Sequence, residues 1–488
     1  MDTILRRAME TGAGPKYRRL VDGVARAIEA GALAPGEKLP PVRDLAWRIG
    51  VTPGTVARAF AILSDEGRVI GEVGRGTFVA DPAQRRAAPV ATPRRADLPA
   101  ANWAERRPAP RPAQVEALYI EMPREGDVLF TPRLPDVGQI ALVREGLHRA
   151  AEADTTVLLN YPGARVQDDL RAAVRGWLPE DMQADLEPGQ IVMTNGGQSA
   201  IMVTLQALLY DSPPVVLVEE LTYPGLSRAA ELLSARVISV PMDDEGVLPE
   251  ALEEIARAEG AQVFFTMPEA HNPTCTLTST ARREAVAAVA RKLGLHLVQD
   301  DCYRLGPPQG PSYRRLAPEL GWYISSMSKA ISPGLRVGYA VAPRTMAGRL
   351  RRVVDANYYG LSVPMVEVAS YVLSHPDTPG LTDAMSARMR AYIEVAVNVL
   401  GRFDLGWGKD MPFFWVRLPE RWRESRFVQA LEGEGIRVRP GEEFGPRDGP
   451  AVHAVRVSVN GQMPLERFRA VLERIAWHLD NPPDQGGV

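Results

Sequence analysis

Cysteine and long apolar runs are the features that this sequence lacks. Its 488 residues include only two cysteines, Cys275 and Cys302, which are too few for a disulfide framework or a zinc site. No run approaches the roughly 20 apolar residues of a membrane-spanning helix, and the amino-terminal stretch is charged, unlike a signal peptide. We therefore expect a cytoplasmic protein with no membrane partner, no structural disulfide and no bound metal.

Charge is divided unevenly along the chain. Residues 1 to 115 carry 19 Lys and Arg against 12 Asp and Glu, a net charge of +7, so the remainder carries −10 to give the total of −3. A basic amino-terminal part on an acidic body indicates a polyanionic partner for the first part alone. Double-stranded DNA is the obvious candidate.

Length and a change of composition divide the chain into domains. A chain of 488 residues is too long for one compact core, so two or more domains are expected. Residues 81 to 112 are rich in Ala, Pro and Arg and lack apolar periodicity, which favours a solvated tether over a DNA-contacting arm. We predict a DNA-binding domain over residues 1–80, a linker over 81–114 and a second domain over 115–488.

The first domain shows three helical patterns followed by a hairpin. Apolar residues at helical spacing predict helices over Tyr17–Ala30 and Val42–Ile49. Thr52 is a good N-cap for a third helix that runs through Glu66. Strand patterns then flank the turn Gly74-Arg75-Gly76. Three helices and a wing predict a winged helix-turn-helix, for which a plain packing module is the structural alternative.

The candidate DNA contacts lie where a winged helix meets the duplex. Such a domain places its third helix in the major groove. The start of that helix offers Thr52, Thr55 and Arg58 for base and phosphate contacts. Arg43 would meet the phosphate backbone or a base edge, and Arg75 at the wing tip would reach the minor groove.

Four short motifs in this domain resemble the GntR family of winged-helix regulators. They are Leu39-Pro-Pro-Val-Arg-Asp-Leu-Ala46, Gly50-Val-Thr-Pro-Gly-Thr-Val56, Asp65-Glu-Gly67 and Gly74-Arg-Gly-Thr-Phe-Val79. The family usually carries an arginine directly after the Ser or Thr that caps the recognition helix, whereas this chain has Pro53. The resemblance implies DNA binding, with a departure at a position that bears on which bases are read.

Beyond the linker, apolar strand-like runs alternate with Ala- and Leu-rich helices such as 281–293. This alternation predicts an α/β domain with a mostly parallel sheet, whose ligand groups would lie on loops beyond the strand ends. The strand-like runs are 190–194, 215–219, 237–240, 263–267, 295–299 and 321–325.

The run Ser326-Met-Ser-Lys-Ala-Ile-Ser-Pro-Gly-Leu-Arg336 is the most informative stretch of this domain. It places Lys329 among small hydroxyl residues and an arginine seven positions later. A lysine amine can form a Schiff base with an aldehyde cofactor, while hydroxyls and a guanidinium can hold the phosphate of that cofactor. The run indicates a pyridoxal 5′-phosphate site, although taken alone such clusters are more often surface turns.

Other candidates follow other strands. The turn Thr194-Asn-Gly-Gly-Gln-Ser199 opens a helix, so its amides could hold a phosphate or simply form a turn. Tyr223 could stack on a pyridine ring or be a buried turn residue. Asn272 could donate to the phenolate oxygen of the cofactor, although Asn-Pro is usually a turn.

Two adjacent carboxylates, Asp300 and Asp301, end another strand. A metal or surface pair is the alternative to a cofactor role for them. In the cofactor interpretation, Asp300 keeps the pyridine nitrogen protonated, which makes the ring an electron sink, and Tyr303 bonds the phenolate. His271 is interpreted as a structural neighbour rather than an acid or base.

The order of these residues resembles the fold-type I pyridoxal-phosphate enzymes of the aspartate aminotransferase superfamily, from about Val115 to Leu479. The resemblance implies a smaller C-terminal α/β subdomain and a role for each matching position. Lys329 matches the cofactor lysine, Asp300 the ring-nitrogen partner, Tyr303 and Asn272 the phenolate partners, Tyr223 the stacking aromatic, and Gly197, Gln198, Ser326, Ser328 and Arg336 the phosphate ligands. Tyr161 matches a tyrosine lent to the partner subunit's phosphate, and Arg456 the arginine that grips a substrate carboxylate.

Two departures from the pattern bear on loop shape. The family's Asn-Pro-Thr-Gly ends in Cys275 here, and the glycine expected five residues after Tyr161 is Val166. Neither departure directly affects the chemistry of Lys329. The departures instead bear on how a substrate fits and on the interchain role of Tyr161.

Both halves on one chain look like the MocR subfamily of GntR regulators. The resemblance implies a homodimer, head-to-tail, in which an amino compound exchanges with Lys329 through an aldimine, engages Arg456 and changes how the DNA-binding domains are presented. Free cofactor as the signal, a working aminotransferase that carries a DNA-binding domain, and an inert dimerisation scaffold are the alternatives. Candidate effectors are amino acids, taurine-like amines, γ-aminobutyrate and vitamin B6.

Overall fold

The computed structural model describes residues 16–49, 51, 53–72, 76–80, 127–152, 159, 161, 167–209, 214–446 and 451–482. The chain divides between Ile120 and Glu121 into two compact units. The predicted linker over 81–114 lies outside the described residues, so its limits stay predictions. Within the described part of the chain, no helix is long and apolar enough to cross a membrane.

The first unit consists of three helices and a hairpin. Its elements in chain order are α1 (Lys16–Glu29), α2 (Val42–Ile49), α3 (Pro53–Asp65), β1 (Val69–Glu72) and β2 (Gly76–Val79). The two strands pair antiparallel, with Val69 opposite Val79 and Glu72 opposite Gly76. The predicted winged helix-turn-helix is confirmed, and each helix lies within one residue of its predicted bounds.

Apolar side chains at helical spacing form the core of this unit. Leu20 and Val24 of α1 and Val56 and Leu63 of α3 are at most 1% exposed. Residues three to four apart share one face of a helix, so this spacing turns the same faces inward along both elements. The polar face of α3 is left outside, and it carries the exposed Arg58.

The second unit holds the remaining elements, which alternate between strands and helices. In chain order they are β3 (Asp127–Val128), α4 (Val137–Ala151), α5 (Asp168–Trp177), α6 (Glu180–Gln183), β4 (Ile191–Thr194), α7 (Gly197–Leu208), β5 (Val215–Glu219), α8 (Pro224–Leu232), β6 (Arg236–Val240), β7 (Met242–Asp243), β8 (Gly246–Val247), α9 (Pro249–Glu259), β9 (Val263–Thr266), α10 (Thr280–Leu293), β10 (His296–Asp300), α11 (Tyr313–Leu316), β11 (Gly321–Ser326), β12 (Gly338–Val341), α12 (Arg344–Tyr358), α13 (Val363–Ser374), α14 (Thr378–Leu400), β13 (Leu405–Gly406), β14 (Phe413–Arg417), α15 (Glu424–Gly433), β15 (Ile436–Arg437), β16 (Arg439–Pro440), β17 (Ala454–Ser458) and α16 (Leu465–Asp480).

Seven of these strands form one sheet in the order β4-β12-β11-β10-β9-β5-β6. The pairs from β11 to β6 are parallel, and β12 runs antiparallel to both of its neighbours. The mostly parallel sheet is therefore confirmed, and all six predicted strands lie within one residue of their predicted ends. β12 is a seventh strand that the sequence analysis does not predict, and its four residues begin with glycine, which has a weak preference for strands.

Successive side chains of the sheet point to opposite faces, and both faces are covered by helices. Val216, Val218 and Phe265 pack with α7, α8 and α12 on one face. Leu217 and Phe264, their neighbours in sequence, pack with α9, α10 and α11 on the other. A sheet buried on both faces reads as continuous apolar runs, which is why its strands are visible in the sequence.

The carboxyl-terminal part forms the smaller subdomain. Strands β13, β14, β17 and β16 make a four-stranded sheet in that order, and α14, α15 and α16 cover it with a core that includes Phe414, Val457 and Phe468. The short strand β3 pairs in parallel with β15, which places Asp127 beside Ile436. The first described strand of the second unit is thus part of its last subdomain.

Gly338, at the start of β12, provides a test of the packing between this strand and the loop after β4. A Cβ there would lie 2.6 Å from the carbonyl carbon of Gly196 and 2.9 Å from the amide nitrogen of Gly197. Because both atoms belong to the backbone, we expect Gly338→Ala to lower the free energy of unfolding by about 1–3 kcal/mol, measured by urea denaturation of the full chain.

Gly176→Ala is the matched control. Gly176 lies in α5, and a Cβ there would meet no atom within 4 Å. Alanine in an exposed helical position should leave stability unchanged or raise it by up to about 1 kcal/mol. Equal denaturation midpoints for Gly338→Ala and the wild type would show that the loop accommodates the added methyl group without loss of stability.

Candidate cofactor and effector site

The predicted site residues lie at the carboxyl ends of five strands of the large sheet. Gly197 and Gln198 follow β4, Tyr223 follows β5, and Asn272 follows β9. The two remaining segments are longer: Asp300 to Tyr303 at the end of β10, and Ser326 to Lys329 at the end of β11. Parallel neighbours end at one edge of a sheet, so these segments share one edge, where ligands of such sheets bind.

The amino end of α7 forms an anion cradle with Arg336. Gly196 has φ +84°, a left-handed conformation that glycine adopts without strain. A Cβ at this position would lie 2.6 Å from Nη2 of Arg336, so the guanidinium lies directly against the turn. Positive charge and the free amides of a helix amino end suit a phosphate group.

Close packing at Gly197 and a hydrogen bond from Gln198 hold this turn against the adjacent strand ends and loops. A Cβ on Gly197 would lie 2.6 Å from Sγ of Cys302 and 3.8 Å from Oγ of Ser326, so the turn packs closely on the ends of β10 and β11. Nε2 of Gln198 donates to the carbonyl oxygen of Gly225 at 2.7 Å. The start of α7 and the turn that carries Tyr223 are thereby joined.

Asp300 lies at the bottom of the site and is only 8% exposed. Its carboxylate accepts the backbone amide of Cys302 at 2.9 Å. Burial raises the pKa of Asp300, and the bond from Cys302 only partly opposes that rise. A cationic ring nitrogen beside this carboxylate would favour its charged form, so the position suits a protonated pyridine.

Tyr223 borders the same space. Burial raises the pKa of Tyr223, and the nearby Tyr303 and Asp300 raise it further. Its hydroxyl therefore stays protonated, and its ring offers a flat apolar surface for an aromatic ligand.

Lys329 lies over the ring of Tyr303, with Nζ 5.2 Å from the ring centroid. Tyr303 packs edge-on against Phe413, with centroids 5.2 Å apart. Burial alone would raise the pKa of Tyr303, yet the positive charges of Lys329 and Arg456 lower it below its ordinary value. The hydroxyl is therefore suited to hydrogen bonding with an oxyanion or to proton exchange with the amine.

Arg456 is a buried cation beside this group, with 2% of its surface exposed. Its Nη1 donates to Oδ1 of Asn272 at 2.5 Å and its Nη2 to the carbonyl oxygen of Phe130 at 2.9 Å. Its guanidinium lies 5.1 and 5.2 Å from the ring centroids of Phe413 and Phe444. Burial lowers the pKa of Arg456 to about 10, so it remains charged near neutral pH.

Two buried donors of the Arg456–Asn272 pair have no partner among the described residues. They are Nε of Arg456 and Nδ2 of Asn272. A buried donor without an acceptor is costly, and a carboxylate and a phenolate oxygen are the acceptors that would satisfy them. The residues present therefore fit a pyridoxal phosphate with a carboxylate-bearing ligand beside it.

Asp301 and His271 belong to the packing around the site. Asp301 accepts from Nε2 of Gln299 at 3.1 Å, and burial raises the pKa of Asp301 to about 7 although Arg304 opposes the rise. His271 lies with Nε2 3.1 Å from the carboxylate of Glu219. These contacts hold the ends of β10 and β5 beneath the ligand groups.

Ser328 adjoins this cluster, and the other remaining predicted residues lie apart from it or outside the described part. Tyr161 is 83% exposed, and its ring contacts that of Tyr359 at 5.4 Å between centroids. Ser328 is half-buried beside Lys329. In the first unit, Thr52, Arg75 and the side chain of Arg43 lie outside the described residues. Thr55 and Arg58 lie on α3, and Cζ of Arg58 lies 4.0 Å above the ring of Tyr17.

Sequence reasoning missed three residues of the site. Phe130 bonds to Arg456 across 326 residues of chain, a separation that no local pattern can bridge. Phe413 and Arg439 lie on short strands of the smaller subdomain. An arginine in a buried strand was the available signal for Arg439, which is 9% exposed.

Comparison with known families and structures agrees with both halves of the chain. Residues 134–475 match the family of class I and II aminotransferases, and residues 16–79 match the gntR family of bacterial regulatory proteins. The kynurenine aminotransferase of Pyrococcus horikoshii, solved in complex with PMP, superposes with a TM-score of 0.67 at 20% identity, over 77% of this chain and 96% of that one.

One relative matches nearly the whole chain and another matches its larger part. An uncharacterized HTH-type transcriptional regulator of Bacillus subtilis, YdeF, is 26% identical over 96% of this chain and 95% of its own length. The 2-aminoadipate transaminase of Thermus thermophilus is 31% identical over 62% of this chain and 78% of its own length. The chain therefore belongs to the class I and II aminotransferase family and carries a GntR-family regulatory domain in front of it, the domain order of the MocR subfamily.

Proposed function

We propose that the protein is a pyridoxal-phosphate-dependent transcriptional regulator, in which the second unit senses an amino compound and the first unit binds operator DNA. One observation carries the proposal. A winged helix of the GntR family and a domain of the class I and II aminotransferase family occur on the same chain.

The cofactor of this domain is pyridoxal 5′-phosphate, which supplies an electrophilic aldehyde and an electron-withdrawing ring. We assign its aldehyde to the amine of Lys329 and its ring nitrogen to Asp300. Tyr303 and Asn272 would hold the phenolate oxygen, and Tyr223 would stack on the ring. The phosphate would lie in the cradle of Gly197, Gln198, Ser326, Ser328 and Arg336.

Arg456 would hold the carboxylate of the effector. Support comes from its burial, from its unpartnered Nε and from the aromatic walls that exclude water. A guanidinium can engage a carboxylate through two parallel hydrogen bonds. The amine of the same effector would then compete with Lys329, and the freed lysine would stay next to Tyr303, able to exchange a proton with its hydroxyl.

Along the sequence, Phe130 connects this pocket with the chain that leads back to the first unit. The carbonyl oxygen of Phe130 accepts from Arg456, and Phe130 follows β3 by two residues. β3 is the first described element after the predicted linker. A ligand that draws Arg456 away would disturb this bond directly, so effector binding and the position of the chain leading to the DNA-binding domain would be coupled.

A homodimer with a head-to-tail arrangement completes the proposal. The supporting observation is the exposed aromatic pair of Tyr161 and Tyr359, which are 83% and 66% exposed. Exposed aromatic side chains are common at interfaces between subunits. In this arrangement Tyr161 would reach the phosphate in the partner subunit.

An active aminotransferase is the second candidate function. The likeness to the 2-aminoadipate transaminase and the presence of a lysine beside a tyrosine of lowered pKa favour it. With an acceptor keto acid supplied to take up the amino group, release of a second keto acid from an amino acid at more than one equivalent per subunit would distinguish turnover from sensing.

Replacement of Lys329 tests the sensing role. We expect Lys329→Ala to lose the visible absorbance of the lysine-bound cofactor and the effect of amino compounds on DNA binding. Basal binding to DNA flanking its own gene, measured by gel shift, should be largely retained, because Lys329 lies in the other unit.

Lys292→Ala is the matched control, since Lys292 is an exposed residue of α10 that pairs with Glu253. It should keep both the absorbance and the response. An unchanged response in Lys329→Ala would rule out sensing through this lysine, and no gel shift of the wild type under any cofactor or effector condition would contradict the regulator itself.

Arg58 tests the orientation of the winged helix on DNA. Loss of one base or phosphate contact should weaken operator binding by about tenfold in Arg58→Gln, or ~1.4 kcal/mol, measured by fluorescence anisotropy at fixed salt. The thermal unfolding midpoint should be checked in parallel, because Arg58 also stacks on Tyr17.

Arg26→Gln is the control for this test. Arg26 is exposed on α1 and donates to the backbone oxygen of Asp22, away from the start of α3. Equal affinities of the Arg58 and Arg26 variants would show that α3 does not face the DNA as proposed.

A further inference from the structure

A second buried arginine lies directly beside Arg456. Arg439 on β16 is the cross-strand partner of Arg456 on β17, and paired residues of antiparallel strands point to the same face of the sheet. The two residues are 9% and 2% exposed. Two guanidinium groups are therefore buried side by side at the pocket.

Both arginines converge on Phe130. Cζ of Arg439 lies 4.0 Å from the centroid of the Phe130 ring, while Arg456 donates to the carbonyl oxygen of the same residue. Nη1 of Arg439 donates to Oε2 of Glu443 at 2.9 Å. Its Nε is buried and has no partner within the described part of the chain.

Arg439 also lies on the cofactor side of the pocket. Burial is the largest single influence on the pKa of Tyr223 and of Tyr303 and acts to raise both values, and at both residues the charge of Arg439 acts in the opposite direction. Arg439 is thus close enough to both tyrosines to influence the ligand space between them.

The charges at this position are not balanced. Glu443 is the carboxylate that faces Arg439, and the charges of Arg456 and Arg228 also act on it. Burial raises the pKa of Glu443 in spite of these three cations. Glu443 is the carboxylate that contacts Arg439, and it lies beside two buried guanidinium groups, Arg439 and Arg456. A buried charge that is only partly compensated is costly. An anion from a ligand would restore the balance.

We propose that the effector pocket takes an amino compound with two acidic groups, one carboxylate bound by Arg456 and the second by Arg439. This assignment rests on the proposed function of the same site and narrows it to acidic amino acids. The aromatic walls of Phe130, Phe413 and Phe444 would enclose the carbon chain between the two carboxylates.

A chain-length series tests the proposal on the full-length protein loaded with pyridoxal phosphate. L-Aspartate, L-glutamate and L-2-aminoadipate are compared with the neutral L-glutamine and L-norleucine by isothermal titration calorimetry. At least one dicarboxylate should bind about tenfold or more tightly than the neutral compounds, as expected for an added charge-assisted bond.

Two single variants should shift this preference in opposite directions. Arg439→Gln should lose the tenfold advantage of the dicarboxylate and leave the affinity for L-glutamine within about twofold. Glu443→Gln removes the competitor for Arg439, so it should tighten dicarboxylate binding severalfold. The double variant Arg439→Gln/Glu443→Gln leaves neither group unpaired, and it should bind dicarboxylates and neutral amino acids alike even if Arg439→Gln folds poorly.

Several results would overturn the proposal. They are the absence of any preference for a dicarboxylate in the wild type, a preference that survives in the double variant, and equal weakening of all ligands by Arg439→Gln, as expected if both arginines shared a single carboxylate. Binding of neutral amino acids alone would contradict the preference for two acidic groups but not the proposed sensing function. Failure of every amino compound to bind the loaded protein would count against the proposed function itself.

Discussion

The bond between Arg456 and the carbonyl oxygen of Phe130 is the interaction on which the proposed sensing site depends. A guanidinium buried to this degree has lost most of its hydration, which is a large cost unless hydrogen bonds replace it. Phe130 and Asn272 supply two of these bonds, and the neighbouring aromatic rings supply weaker attraction. The remaining donor capacity is what makes the arginine ready to receive an anion.

The large sheet supplies the constraint that brings the other groups together. Five chain segments from distant parts of the sequence end at the same edge of the sheet. Their polar residues therefore come together beyond the ends of the strands. The close contact between Gly338 and Gly196 shows how tightly the phosphate cradle is seated on β12. The cradle rests on the large sheet, whereas the arginine pair belongs to the smaller subdomain. A ligand that contacts both would therefore bridge the large sheet and the smaller subdomain.

The sequence predicted those parts of the fold in which local pattern decides the outcome. Helices α1 to α3 follow from apolar periodicity, and six strands of the sheet follow from continuous apolar runs, because the sheet is buried on both faces. β12 has only four residues and begins with glycine, which has a weak preference for strands. In the structure Asp300 borders the site while Asp301 accepts from Gln299, since adjacent residues at a strand end point to opposite sides, and the ligand role of Asp300 stays a prediction.

Long-range contacts were beyond the same reasoning. Phe130 and Arg439 meet through the parallel pairing of β3 with β15 and the antiparallel pairing of β16 with β17, and neither pairing leaves a mark in the local sequence. The arginine pair also breaks the usual expectation that like charges are kept apart in a sheet. Such violations are expected at functional sites, where stability is given up for binding.

The position of β3 has a consequence for how the chain can be divided. The family likeness begins at residue 134, which suggests a cut just before it when the sensory half is produced alone. That fragment would lack both Asp127, which β15 needs as a neighbour, and Phe130, which caps both arginines. The sensory half therefore begins earlier than its match to the aminotransferase family, and a piece that starts at residue 134 would lack the contacts that Phe130 makes with both arginines.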